Sequence, residues 1–372
     1  MRGTPCAGRR APDAVRSARA NDRAVTAQRL TLTVPTPVQR LPIASLNGEL
    51  WLKQDGLVHA QYGGNKTRKA ALLLEHAVQL GARRVLTFGA AGSHHVLATA
   101  LFARDFGLRS AAVLTPQPAT EHARGVLRRG LSAGLEAYPA RSPLGALFTF
   151  LRHRQRGDYV VPPGGSNAYG AQAYALAWEE LEAQVALGVL PAPDWVVVPL
   201  GSGGTAAGLL AGLARSQLAT RLLAVSVLRN PIAAAQVLFL TRRALSASNH
   251  AIDERELKRR LVVDNGQVGR GYGWSSSDGD RAAELAAAHG LTLDPTYTAK
   301  AFAAALALAR GEHRASAARA RVLYWHTLSV PEGPPLTSES ELPPALERLF
   351  SARSAHALCR RASTRPSCHP AR

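Results

Sequence analysis

An arginine carries its charge anywhere, but a lysine amine can shed its proton in a dry pocket and form an imine with an aldehyde. The chain holds five lysines among 45 basic residues. Two of them, Lys66 and Lys69, fall in the run "QYGGNKTRKA" at 61–70, the first directly after a Gly-Gly-Asn turn. Where arginine is the default base, retained lysines at a glycine turn mark a place to look for nucleophilic chemistry. A solvated lysine is the plain alternative, so the run needs support from elsewhere in the chain.

A second run offers an anion site. "DWVVVPLG" (194–201) reads as a strand that passes straight into "GSGGTAAG" (201–208) and a helix. Glycines let the backbone approach an anion, and helix amides with the Ser202 and Thr205 hydroxyls suit phosphate oxygens. No lysine precedes Thr205, so this is not a Walker A loop. The spacing also fits a loose dinucleotide pattern, but Arg229 ends the next strand where an acid is wanted. NAD is therefore disfavoured, NADP is a minor reading, and a merely tight strand–helix turn is the structural alternative.

Three further loops hold polar groups at element ends. In "AAGSHHVLATA" (90–100), Ser93 is placed as a helix N-cap, and a helix start with a serine also suits a carboxylate. Neighbouring His94 and His95 point in different directions on a helix and lack a third ligand, so no metal is expected. "VPPGGSNAYG" (161–170) puts Ser166 and Asn167 after a strand, and "LDPTYTAKA" (293–301) with "VLYWHTL" (322–328) brings in Tyr297, Thr298, His326 and Thr327. Singly, most of these would be caps or core hydrogen-bonders. Together they ask for a ligand with a phosphate, an aldehyde for an amine, and a substrate carboxylate; pyridoxal phosphate with an amino acid meets all three.

The elements that must position these groups alternate. Strand-like runs at 83–89, 109–116, 158–163, 194–201, 221–228 and 322–328 are separated by amphipathic helices at 66–80, 94–106, 119–129, 169–187, 205–216 and 299–310. That alternation predicts an α/β fold of two open, twisted, mostly parallel sheets flanked by helices, with ligands at the carboxyl ends of strands. Hydrophobic residues make up 46% of the 372, and no apolar run is long enough to span a bilayer. The charge of +19 is concentrated: residues 1–30 and 351–372 supply +5 each, lack hydrophobic periodicity and are expected to be disordered. Cys6, Cys359 and Cys368 all lie in these tails, so the expectation is a reducing cytoplasm, with neither a thiol nucleophile nor a disulfide framework. Specific nucleic-acid binding is not expected, since no aromatics interleave with the tail arginines.

The ordered set "GGNKTRK", "GSHHVLATA", "PPGGSNAYGA", "PLGSGGTAAG", "VGRGYG", "LDPTYTAKA" and "LYWHT" resembles the D-cysteine desulfhydrase and 1-aminocyclopropane-1-carboxylate deaminase family. These are fold-type-II pyridoxal-phosphate enzymes, similar to tryptophan synthase β, and the likeness runs from about residue 35 to 330. It implies a homodimer and a cofactor between two units, 31–69 with 166–350 and 70–165. Lys66 would carry the cofactor as an imine, with Asn65 beside it and Lys69 facing the phosphate or lowering the neighbouring amine's pKa. Gly201, Ser202, Gly203, Gly204 and Thr205 would hold the phosphate, and Thr298 would bond the pyridine nitrogen. Ser93, His94, His95, Asn167 and Thr327 would bind substrate, with Tyr272 and Tyr297 flanking it. The reaction implied is α,β-elimination from D-cysteine to pyruvate, ammonia and hydrogen sulfide. The deaminase branch typically has glutamate at position 298 and leucine at 327, so both threonines favour the desulfhydrase.

Three departures stand out. His94 replaces an asparagine that donates to the cofactor's phenolate oxygen. Leu328-Ser329 replaces Gly-Gly in a loop expected to be crowded without glycine. Gly92 replaces a commonly larger residue.

Overall fold

The computed structural model describes residues 30–316, 319–331 and 341–350. Residues 1–29 and 351–372, and with them the expected disorder of both tails, lie outside the described residues.

The chain begins with β1 (Val38–Arg40) and β2 (Glu49–Gln54), then α1 (Asn65–Gln79). A run of strand–helix units follows: β3 (Arg84–Ala90), α2 (His94–Asp105), β4 (Arg109–Thr115), α3 (Glu121–Ser132), β5 (Leu135–Pro139), α4 (Pro143–His153) and β6 (Asp158–Val161). Next come α5 (Ala168–Ala186), β7 (Trp195–Leu200), α6 (Gly204–Ala214), β8 (Arg221–Ser226), α7 (Ala233–Ala247), α8 (Glu254–Arg260) and β9 (Leu261–Asp264). The last elements are α9 (Ser277–Ala288), α10 (Thr298–Arg310), β10 (Arg321–His326) and α11 (Pro344–Glu347).

Two sheets result, with strand orders β1-β2-β10-β7-β8-β9 and β5-β4-β3-β6. Every pairing is parallel except that of β1 with β2. In the larger sheet, successive residues of β7 serve opposite cores. Val196, Val198 and Leu200 join the cluster under α5, α6 and α7, whereas Trp195 and Val197 join that under α9 and α10. Period-two alternation between two apolar faces is why β7 is buried at every position, as a strand covered on both sides must be.

The strand order also fixes where a ligand can sit. In the smaller sheet the chain runs β3, β4, β5 outward, then returns to the other side of β3 for β6; in the larger sheet β8 and β10 lie on opposite sides of β7. A crevice opens beyond the strand ends at each such reversal. The loops after β3 and β6 and those after β7 and β10 line one shared cavity.

Residues 341–350, expected with the larger sheet, pack instead on the smaller one. Leu342, Leu346, Leu349 and Phe350 are buried in the cluster formed by α1, α2 and α3, and Glu347 accepts from Arg124 at 2.7 Å. Four apolar side chains need a partner surface, and α2 and α3 supply it.

Behind α1 lies a buried charge network. Arg68 donates to Asp55 at 2.8 Å and meets Glu180 at 3.0 Å. Lys53 pairs with Glu180 and bonds Gln184 at 2.8 Å, and Tyr174 donates to Asp55. The network ties β2, α1 and α5 together, so the helix that begins at the candidate lysine is anchored from its far side.

Candidate active site

Lys66 sits in the first turn of α1, which starts where Gly64 takes a φ of 80°. A β-carbon on Gly64 would fall 2.4 Å from the Thr327 carbonyl oxygen, so the chain turns here only with glycine. The Asn65 amide donates to that same carbonyl at 3.1 Å, and Thr67 Oγ1 donates back to Gly63 O at 2.9 Å. Leu328 and Ser329, expected to crowd the facing loop, do not: neither has a positive φ. Ser329 Oγ instead accepts from the Gly63 amide at 2.7 Å and braces the turn.

The cavity between the sheets has a volume of about 550 Å³, and Lys66, Lys69, Ser93, His94, His95, Tyr272, Tyr297, Thr298 and Thr327 all contribute to its wall. Burial pushes the Lys66 amine down to about 8, against an upward pull from Asp294. Lys69, also lowered by burial and then by Lys66, donates to Gly164 O at 3.2 Å. Burial, and not Lys69, is thus what activates Lys66. A buried ammonium is costly without a counter-anion, so an anion beside Lys69 would favour its charged form.

The loop after β7 offers backbone amides and hydroxyls to the same cavity. Gly201, Ser202, Gly203, Gly204 and Thr205 form the wall at the α6 N-terminus, where Asn65 Nδ2 donates to Thr205 Oγ1 at 3.0 Å. Ser166 Oγ takes the Gly204 amide at 3.1 Å and meets Ser202 Oγ at 2.8 Å. Across the cavity, Ser93 caps α2, accepting from the Val96 amide at 3.5 Å. The cavity wall thus carries two helix N-termini and a lysine whose pKa is lowered.

The aromatic side of the cavity is formed by Tyr297, whose hydroxyl donates to Tyr272 at 3.1 Å. Burial raises both phenols, so they are neutral acids at neutral pH. Lys66 Nζ stands 5.9 Å from the Tyr297 ring centre.

Three expected roles change. Asn167 is absent from the cavity wall, because its Oδ1 accepts from the Gly170 amide at 2.9 Å and caps α5. His95 reaches the wall, but Thr87 Oγ1 gives its proton to Val161 O and so accepts from His95 Nε2 at 2.9 Å, which turns that nitrogen toward the sheet. Thr298 is not an isolated hydroxyl: it donates to Asp294 Oδ2 at 2.6 Å.

Sequence reasoning passed over Asp294 and Tyr62. Asp294 accepts from the amides of Tyr297 and Thr298 at 2.8 and 3.1 Å, capping α10 while lining the cavity. The sequence did not signal it, because a cap is read at the residue immediately before a helix, and that residue here is Tyr297. Gly92 admits α3: a β-carbon there would lie 2.6 Å from Ala123 Cβ, and its amide donates to Gln117 at 3.0 Å.

Residues 30–327 match the family described as pyridoxal-phosphate dependent enzyme. D-cysteine desulfhydrase of Klebsiella pneumoniae is 33% identical over 283 residues, covering 72% of this chain and 84% of that protein. Its Yersinia pestis counterpart is also 33% identical, covering 73% and 84%. The crystal structure of an ACC deaminase homologue superposes with a TM-score of 0.70 at 28% identity, covering 83% of this chain and 94% of that one. A fungal L-serine ammonia-lyase from Rhizomucor miehei, 18% identical with a TM-score of 0.57, shares the fold. The chain belongs to the pyridoxal-phosphate-dependent enzymes, and its cofactor is pyridoxal phosphate. The residues present fit that group: a buried amine for its aldehyde, and a buried lysine with a helix N-terminus for its phosphate.

Because only the neutral amine attacks an aldehyde, cofactor uptake by the cofactor-free protein is expected to quicken as pH rises through about 8 and then level off. Absorbance stopped-flow checks this; a rate still climbing steeply above pH 10 would mean that Lys66 is not the acceptor.

Proposed function

We propose that this enzyme is a D-cysteine desulfhydrase, eliminating hydrogen sulfide from D-cysteine with release of pyruvate and ammonia. The observation that carries the reading is the buried Lys66 amine opposite the paired Tyr272 and Tyr297 phenols. The likeness to desulfhydrases supports the choice of substrate.

Lys66 would hold the cofactor through its aldehyde, and Lys69 with the backbone and hydroxyls of 201–205 would hold its phosphate. Ser93 and the α2 N-terminus take the substrate carboxylate, where the helix dipole and free amides favour negative charge. The Lys66 amine would remove the Cα proton; a lowered pKa leaves it a usable fraction of free base at neutral pH. The bound cofactor supplies the electron sink for that step. Neutral Tyr272 would face the β-substituent as the hydrogen-bond donor, held in place by the Tyr297 hydroxyl that donates to it, and Thr327 offers a hydroxyl to a polar substrate.

Asp294 bears on the rival reaction, ring opening of 1-aminocyclopropane-1-carboxylate. A glutamate at 298, as in that branch, would set a second carboxylate against Asp294, which lies 2.6 Å from the present hydroxyl. We expect keto-acid release from D-cysteine and little or none from aminocyclopropane carboxylate. Release from the cyclopropane faster than from D-cysteine would reverse the branch, and release from another D-amino acid alone would keep the β-elimination with a different substrate. A yellow protein with no turnover of any amino acid would make this a cofactor-binding protein without catalysis.

The same proposal includes two units, 31–69 with 166–331 around the larger sheet and 70–165 with 341–350 around the smaller. It also includes a cytoplasmic location, supported by the absence of cysteine from 7–358, and a homodimer. No helix among the described residues is long and apolar enough to cross a membrane. The homodimer is supported by Leu144, Leu147, Phe148 and Leu151, an apolar stripe on α4 with exposures from 53% to 78%; the mass in solution checks it.

A further inference from the structure

Tyr62 and His94 both line the cavity. The buried Tyr62 hydroxyl is 2.5 Å from His94 Nδ1, and the other ring nitrogen, Nε2, is 3.0 Å from Nε2 of His122. His122 belongs to the first turn of α3 and is exposed to solvent. Three side chains from three separate elements therefore form one unbroken hydrogen-bonded line from the cavity wall to water. α3 comes this close because Gly92 has no side chain to hold it off.

The chemistry of the line is specific. An amide at position 94 could bond its neighbours but not pass a proton between them, whereas an imidazole can accept a proton at one nitrogen while releasing another from the opposite one. Burial holds the His94 ring down at about 4, with Lys66, His122 and Arg129 acting the same way and Asp294 opposing them. The ring is therefore neutral at working pH, with one N–H and one free nitrogen, the state a relay requires. Tyr62, raised by burial, keeps its proton until one is delivered behind it.

We propose that Tyr62, His94 and His122 form a proton relay between the cavity and solvent, serving the elimination proposed above. Protons balance over one turnover. To protonate the departing sulfide, the Tyr62 O–H bond breaks as S–H forms, and His94 Nδ1–H passes to the Tyr62 oxygen. His122 Nε2–H then passes to His94 Nε2, and solvent restores a proton at His122 Nδ1. The relay is left with its tautomers reversed. The proton that Lys66 takes from Cα resets it by leaving in the opposite sense: through Tyr62 to His94 Nδ1, from His94 Nε2 to His122 Nε2, and from His122 Nδ1 to water. One proton enters, one leaves, and the resting tautomers return.

The test uses the holoenzyme with His122→Phe and His122→Ala, since an exposed residue can be changed without unfolding the protein. Both variants are expected to bind cofactor and substrate as the parent does, with kcat about tenfold lower or more and KM little changed. Imidazole in solution should restore His122→Ala but not His122→Phe. A second measurement does not need elimination: Cα hydrogen–deuterium exchange on D-alanine, followed by proton NMR, should slow by the same factor. A third needs no turnover: in the cofactor-free protein, 15N resonances of His94 should shift in both variants as its second hydrogen bond is lost. Parent-like turnover and exchange in both variants would overturn the relay, as would a loss that imidazole leaves unrepaired. A parent that exchanges Cα deuterium faster than its variants yet eliminates nothing would sink the desulfhydrase reading and leave the relay standing. A parent that does neither removes both.

Discussion

Replacing Lys66 by alanine is expected to abolish both elimination and the covalent bond to the cofactor. Loss of the proton acceptor alone lowers rates by about 10²–10⁴-fold, and here the same amine is also the attachment point. Borohydride should then fix no cofactor to the variant, whereas in the parent it should label the peptide containing residues 65–68. Lys66→Arg is expected to be equally inactive, because a guanidinium keeps its proton and attacks no aldehyde. Lys69 is the sharpest internal control. It is buried, lies one helical turn away and is also lowered, yet the reading places it on the phosphate. Lys69→Ala should weaken cofactor binding while leaving the reducible linkage at Lys66. A label on Lys69 after reduction would exchange the two assignments.

The second large effect is on stability. Arg68 is 4% exposed and joins Asp55 and Glu180, with Lys53 completing the group. Arg68→Met removes one cation from a buried set of two cations and two carboxylates. It should cost about 3–5 kcal/mol, because an uncompensated charge is left in a dry site. Urea unfolding measures it. Arg68→Met with Asp55→Leu should recover part of the loss, since the stranded carboxylate goes with its partner. The network also sets an acid limit. Asp55 and Glu180 are held below their ordinary values: burial pushes both up, but Arg68 and Lys53 pull them further down. Their contribution is therefore present above the carboxylates' unfolded pKa of about 4 and is lost as pH falls through the lowered folded values. A loss of only a few tenths of a kcal/mol in Arg68→Met would mean that packing, not charge, holds α1.

The sequence by itself determined the elements whose signals are local. Strands such as β4 and β7 are short apolar runs ended by chain-breaking residues, prolines after β4 and glycines after β7. Helix α2 begins just after Ser93, which caps it as its residue type predicts. The runs around Lys66 and after β7 stand out in the sequence because nucleophile chemistry and phosphate binding each demand particular residues at close spacing, and both runs line the cavity. β2 was not, since "ELWLKQ" carries a lysine that looks solvent-facing until Glu180, 127 residues away, neutralises it. α4 and β5 also escaped, the one being apolar on its exposed face and the other short. Asn167 shows the reverse error: a polar residue in a site-like loop whose amide oxygen is consumed by its own helix. Only the tertiary structure decided which loops share a cavity. Strand order, not sequence distance, sets that, and the two reversals beside β3 and β7 face each other. It also decided that Asp294 occupies the Thr298 hydroxyl and that His122 meets His94 across 28 residues. Those contacts depend on the approach of α3 at Gly92 and on the turn before α10, and nothing local to position 122 encodes them.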